Sequence, residues 1–174
     1  IKAGLVISCC GGRGRLGYKE SFLANSIVDR AIRLTFRDLS VEPIKYSFAP
    51  IGSDERQYSS PGFNLPIGSL MRTPYDHYKE YHTSLDNEKF INFKTIIDTF
   101  KIYYQVLLTL ENNFLPKAKI QYGTPQLSKS KINLYPREMN FKQKPKNNRI
   151  KLMLEILNLA DGKISLLDIC NNKK

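Results

Sequence analysis

Apolar positions along this chain change their spacing several times, and each change marks an element. "AGLVISCC" (Ala3–Cys10) is a short unbroken apolar run that stops at the glycines of "GGRG", the pattern of a buried strand. Across Ser21–Leu39, residues Leu23, Ile27, Ala31 and Leu34 recur at helical spacing, and Val28 and Ile32 widen the stripe. Asp29, Arg30, Arg33 and Arg37 fall largely off it, so the spacing predicts an amphipathic helix packed on a sheet. "IKYSFAP" (Ile44–Pro50) reads as a second strand, and Asn64–Arg72 contains a third. Lys89–Asn113 predicts a long helix with Phe93, Ile96, Ile97, Phe100, Tyr104, Leu107 and Leu108 as its apolar face.

This rhythm of strands and helices is that of an α/β sandwich with a mainly parallel sheet. Such sheets hold ligands in the loops at the carboxyl ends of their strands. The polar loops 51–62 and 73–87 both follow strands, which places them on that rim. "GGRGRLGYKES" lacks the spacing of a dinucleotide or phosphate-binding loop and reads as a flexible turn. After Leu115, Pro116, Pro125, Pro136 and Pro145 punctuate a stretch rich in Lys, Gln and Asn, with "KAKIQYG" as its one short strand. A helix over Arg149–Leu159, a turn at "ADGK", and a further helix opening near Lys163 or Ser165 complete the pattern.

Composition narrows the class. With 41% hydrophobic residues in 174, the chain is globular, and no apolar run approaches the roughly 18 residues that span a bilayer. The net charge of +11 is lopsided. Residues 1–116 hold 14 Lys and Arg against 12 Asp and Glu, whereas 117–174 hold 13 against 4. The basic character belongs to the last third, which reads as a solvated linker rather than a nucleic-acid surface. Cys9, Cys10 and Cys170 form no disulfide framework and read as small buried residues in a reducing, cytoplasmic setting, with Cys9 and Cys10 on opposite faces of one strand. No secretory signal is visible, and Ile1 in place of an initiator methionine is expected of part of a longer chain.

The candidate chemistry gathers in the two rim loops. His77 and His82 are the only histidines, so "EYHTSLDN" (Glu80–Asn87) offers one imidazole followed by Asp86. His82 is either a metal ligand with Asp86 holding its second ring nitrogen, or a loop histidine with Asp86 capping a helix near Asn87. "SDER" adds Asp54, Glu55 and Arg56 on the other loop.

"GSDERQYSSPGFNLPIGSLMRTPYDHYKEYHTSLDN" (Gly52–Asn87) resembles the core of a bacterial aminopeptidase-like family, relatives of the zinc aminopeptidases and glutaminyl cyclases associated with polysaccharide biosynthesis. "AGLVISCCG" and "LPKAKIQYGTPQLSKSKINLYP" resemble the same family in order, and "LMLEILNLADGKISLLDIC" resembles the opening of its winged helix. The resemblance implies the C-terminal part of an aminopeptidase-like α/β domain over 1–124, a basic linker over 125–148 and a truncated winged-helix segment over 149–174. It implies zinc as cofactor of the full-length family, held weakly or not at all by this chain alone, with His82 as a ligand and Asp86 supporting it. Tyr81 and Glu55 would be catalytic, and Asp54 and Arg56 would bind a peptide or amide-containing substrate. The family's earlier ligands and general base are missing, and Gly12 stands where relatives carry an Asp. The chain alone is therefore expected to be inactive, and its status as an enzyme stays open. The rival readings are a non-catalytic binding protein of glycan assembly and a nucleic-acid-binding module. A homo-oligomer is compatible with either.

Overall fold

The computed structural model describes residues 1–75, 77–123, 125–127 and 148–172. The chain divides into two compact units, Ile1–Asn112 and Asn113–Lys174. In the first, the elements in order are β1 (Gly4–Ile7), β2 (Gly17–Lys19), α1 (Ile27–Asp38), β3 (Ile44–Tyr46), α2 (Glu55–Tyr58), β4 (Ile67–Met71) and α3 (Phe93–Glu111). The strands form one mixed, mostly parallel sheet in the order β1-β4-β2-β3. β1 runs parallel to β4 and β2 parallel to β3, while β2 and β4 are antiparallel. This is the expected α/β class.

β2 is the element that composition hides. "GYK" lies inside the glycine-rich stretch expected to be a flexible turn, yet all three residues are buried between β4 and β3. Two close approaches explain the glycines around it. A Cβ on Gly14 would lie 2.1 Å from the Thr73 hydroxyl and 2.6 Å from the Arg72 carbonyl oxygen, so no other residue passes there unchanged. A Cβ on Gly68 would lie 2.9 Å from the Tyr18 ring, so that glycine makes room for the phenol. The first strand is correspondingly shorter than its apolar run. Cys9 has a left-handed φ of 48°, and both Cys9 and Cys10 lie beyond β1 and are half-buried, not on opposite faces of a strand.

α1 buries Val28, Ala31, Ile32, Leu34 and Phe36 as its period requires, but it also buries Asp29 completely. Asp29 departs from the expected solvent face because it organises the helix entry. One oxygen accepts from the Ser26 amide at 2.7 Å and from the Ser26 and Ser21 hydroxyls, while the other accepts from the Ser21 amide and the Tyr18 hydroxyl. A buried carboxylate supplied with this many donors is satisfied rather than stranded. Leu23, expected on the helix stripe, precedes the helix and is 56% exposed.

α3 begins at Phe93, where the Asn92 side chain accepts from the Thr95 amide at 3.1 Å. Its buried residues are Thr99, Ile102, Tyr103 and Val106. Tyr103 donates to the Val6 carbonyl at 2.8 Å and to the Leu70 carbonyl at 2.6 Å, and so fastens the helix over the β1–β4 pair. The expected apolar face is the wrong one: Phe93, Ile97, Phe100, Tyr104 and Leu107 are all more than half exposed. Both sides of the helix are rich in apolar residues, and the choice between them rests on tertiary partners that periodicity cannot identify.

In the second unit, α4 (Asn148–Leu159) and α5 (Leu166–Asn171) flank the turn at Asp161–Ile164. Asp161 accepts from the Lys163 and Ile164 amides, and these bonds hold its carboxyl below the usual range. Ser165 caps α5 by accepting from the Asp168 amide at 3.2 Å. "KAKIQYG" provides one bridge, Lys117 to Asp161, rather than a strand. Most of the basic linker, 128–147, lies outside the described residues. Among the described residues no helix is long and apolar enough to cross a membrane.

Candidate functional site

Because β1 and β4 are parallel, the segments after them, Ser8–Gly12 and Arg72–Asn87, emerge at one end of the sheet. The Arg72 amide donates to the Cys9 carbonyl at 2.9 Å, and the Asn92 amide donates to the Gly11 carbonyl at 2.9 Å, which ties the two segments together. β3 runs opposite to β4, so the loop that follows it leaves the sheet in the other direction. That loop reaches the same cleft because Lys19 holds it: the ammonium donates to the Ile51 carbonyl and to Glu55.

Asp54, Arg56, Gln57, Tyr75, Tyr81 and His82 line a pocket of about 370 Å³. A second pocket of about 390 Å³ is lined by Cys9, Cys10, Gly12, Tyr78, Asp86 and Phe90, among others. Ser8 and Tyr81 belong to both, which makes them two halves of one cleft. The two rim loops thus share a cavity, with one acid, one guanidinium and one imidazole on its wall.

Aromatic stacking shapes the cleft. Tyr81 stacks on His82 with ring centroids 4.0 Å apart, and meets Tyr78 edge-on at 5.4 Å. Tyr78 in turn stacks on Phe90 at 5.2 Å. His82 takes a left-handed backbone with φ of 57°, a conformation histidine adopts more readily than most residues. Burial pushes the Tyr75 and Tyr78 phenols above their ordinary values, and for Tyr78 the hydrogen bond with Cys9 adds to the rise. Burial likewise pushes the Cys10 thiol up, which disfavours the thiolate. The wall therefore presents protonated hydroxyls, which suit the role of donors to a carbonyl oxygen.

Two expected site residues stand apart from this arrangement. Glu55 does not line the cleft: it is fully buried, with Oε1 2.9 Å from the Lys19 ammonium and accepting from the Ser53 amide. Asp86 lines the Cys9–Tyr78 half, whereas His82 lines the Asp54–Arg56 half, and among the described residues no hydrogen bond joins them. The helix expected to start near Asn87 starts at Phe93, with Asn92 rather than Asp86 as its cap. A metal finds few donors here. No three His, Cys, Asp or Glu groups converge among the described residues, whereas catalytic zinc takes about three protein ligands. The described residues do not fit a zinc centre, and His82 offers a single donor.

Sequence reasoning passed over Tyr75, Tyr78, Cys9 and Lys19. A signal was present in "PYDHYKEYH", where Tyr75, Tyr78 and Tyr81 recur every third residue in a segment without apolar periodicity.

Residues 1–113 match the family model described as "Domain of unknown function (DUF4910)", and residues 115–174 match a winged helix-turn-helix model. The chain is similar to a Clostridium acetobutylicum protein named "Putative polysaccharide biosynthesis protein with aminopeptidase-like domain", with 39% identity over 97% of this chain and 38% of that protein. It is also similar to a solved structure titled as that of a "putative peptidase" from Clostridium acetobutylicum, with a TM-score of 0.77 and 37% identity over 97% of this chain and 36% of the other. The chain thus spans little more than a third of the relatives it matches.

Proposed function

We propose, for a chain that belongs to the DUF4910 domain family, that the cleft at the β1–β4 end holds a peptide or amide-containing ligand in an aminopeptidase-like site. The observation that carries this reading is the meeting of Asp54, Arg56, Tyr81 and His82 in one pocket, beside the Tyr75 phenol that burial pushes above its ordinary value. Asp54 offers a partner to an ammonium terminus and Arg56 to a carboxylate. The Tyr81 hydroxyl would donate to a carbonyl oxygen of the ligand. The name of the Clostridium acetobutylicum relative supports placing this activity in polysaccharide biosynthesis.

Zinc is implied by the resemblance, but the donors described do not assemble a centre for it, so no step is routed through a metal. Glu55, held by Lys19 outside the cleft, is not positioned as a general base. The chain by itself binds and orients a ligand without turning it over. This donor shortage also favours the second reading, a binding protein of glycan assembly in which the pocket serves without catalysis.

Titration of a dipeptide with free termini, followed through the backbone amides of Arg56 and Tyr81, tests the proposal. Saturable shifts that weaken in Arg56→Ala and Asp54→Asn are expected, with no hydrolysis of aminoacyl anilides. Binding indifferent to both substitutions would overturn it, and turnover abolished by His82→Ala would overturn the non-catalytic part.

A further inference from the structure

Beside the dipolar cleft lies a third pocket of about 210 Å³, and Lys19 is part of its lining. Gly52 and Tyr75 line both this pocket and the one that holds Asp54 and Arg56, so the two adjoin. The remaining wall is largely hydrocarbon or aromatic: Tyr46, Ala49, Ile51 and Met71, with His77 set edge-on to Tyr46 at 6.4 Å. At about 30 Å³ per water, the space equals roughly seven water molecules, below the ordinary size of a drug pocket. It suits one small ring or one branched aliphatic group.

Lys19 is only 6% exposed, and its ammonium has three N–H donors. Among the described residues two acceptors take two of them, the Ile51 carbonyl and Glu55 Oε1. The third N–H has no oxygen acceptor among those residues and finds only the face of the Phe48 ring, whose centroid lies 5.5 Å from the ammonium, while the side chain borders the cavity. A buried donor without an acceptor carries a desolvation penalty that a ligand oxygen relieves. The charge of Lys19 is already balanced by Glu55 at 2.9 Å, so a second carboxylate brought into this pocket would sit near the first and gain little from the ammonium. A neutral oxygen is favoured over an anionic one.

We propose that this pocket is a subsite for a compact apolar group that ends in a neutral carbonyl oxygen, such as a primary or secondary carboxamide, with Lys19 as its donor. The ring or branched carbon body fills the space between Tyr46, Ala49 and Met71, and the amide oxygen accepts the spare N–H. The inference deepens the reading of the adjoining cleft as a site for amide-containing ligands and rests on it only for the larger molecule of which this group would be part.

Benzamide, benzoate and benzene, each titrated separately into the folded chain, test the subsite through the backbone amides of Ile51 and Gly52. Benzamide is expected to give saturable shifts and to bind roughly tenfold more tightly than benzene, the size of effect a buried hydrogen bond to a charged donor gives. Ala49→Leu should fill the cavity and abolish the shifts while leaving circular dichroism unchanged. Lys19→Met should erase the preference for benzamide over benzene, and Ala49→Leu keeps the test decisive should Lys19→Met fail to fold. Equal binding of benzene and benzamide, tighter binding of benzoate, or no shift with any of the three would overturn the proposal. Dipeptide shifts at Arg56 and Tyr81 are read separately, so failure of this subsite and failure of the cleft are distinguishable.

Discussion

Lys19 and Glu55 meet 2.9 Å apart, with side chains 7% and 0% exposed, and the pair holds the start of α2 to β2. Glu55 Oε2 has no hydrogen-bond partner among the described residues, so the pair is close but not fully satisfied. Removing one partner leaves a buried charge. Lys19→Met or Glu55→Leu alone should each destabilise the first unit by about 3–5 kcal/mol, whereas the double substitution should recover most of that loss. Urea unfolding of the two single variants and the double variant measures this.

Asp29 carries the acid sensitivity of α1. Burial raises its pKa, but hydrogen bonds from Ser21, Ser26 and Tyr18 outweigh burial and hold the carboxyl below the ordinary aspartate value. A carboxyl with a depressed folded pKa contributes stability that is fully present above its unfolded value of about 3.9. That contribution is lost as the pH falls through the lower folded value. Asp29→Asn should lower stability at neutral pH and flatten the decline in acid. Thermal melts between neutral and acid pH read both effects, and an unchanged acid limb would contradict the assignment.

The uncovered side of α3 is a large apolar surface for one helix. Phe93 is 75% exposed and Phe100 64%, and Phe100 stacks on Tyr104 with centroids 6.2 Å apart. Exposed apolar patches of this kind drive association. The isolated chain should self-associate as its concentration rises, and Phe100→Glu with Leu107→Glu should suppress this. Both positions are exposed, so each change should alter folding stability by about 0.5 kcal/mol or less. Sedimentation velocity over a concentration series is the measurement.

Legibility in the sequence followed how local each cause was. α1 was visible because its apolar period is local, and α5 because Ser165, which caps it, stands directly before it; the Ser26–Asp29 cap of α1 went unread. β2 was not, since "GYK" becomes a strand only when β3 and β4 flank it. The same non-locality explains α3, whose inward side is decided by Tyr103 reaching carbonyls at residues 6 and 70. At the cleft, the union of Asp54, Arg56, Tyr81 and His82 was anticipated from two polar loops after strands, but for an incomplete reason. β3 points away from β4, and it is Lys19 that returns the Asp54 loop. Glu55 looked like a cleft residue because its neighbours are polar, and nothing in its immediate sequence announces the lysine 36 residues earlier.

Tyr103 should matter beyond its size. Tyr103→Phe removes the donor that Val6 and Leu70 carbonyls share and should cost about 1–3 kcal/mol, read from the urea midpoint.

The strand order also fixes a hierarchy of opening. Among the described residues β1 sits at one end of the sheet, four residues long and paired only with β4, whose partner residues lie 63 positions away in sequence. The β2–α1–β3 segment closes over short sequence distances, so β1 is the part whose docking demands the longest loop closure. Native-state amide exchange should therefore be fastest at Gly4–Ile7 and slowest in β4 and β2, each enclosed by a strand on both sides. The cleft inherits this order: its Ser8–Gly12 wall hangs from the first strand to loosen, and its Asp54–Arg56 wall is anchored to one of the last.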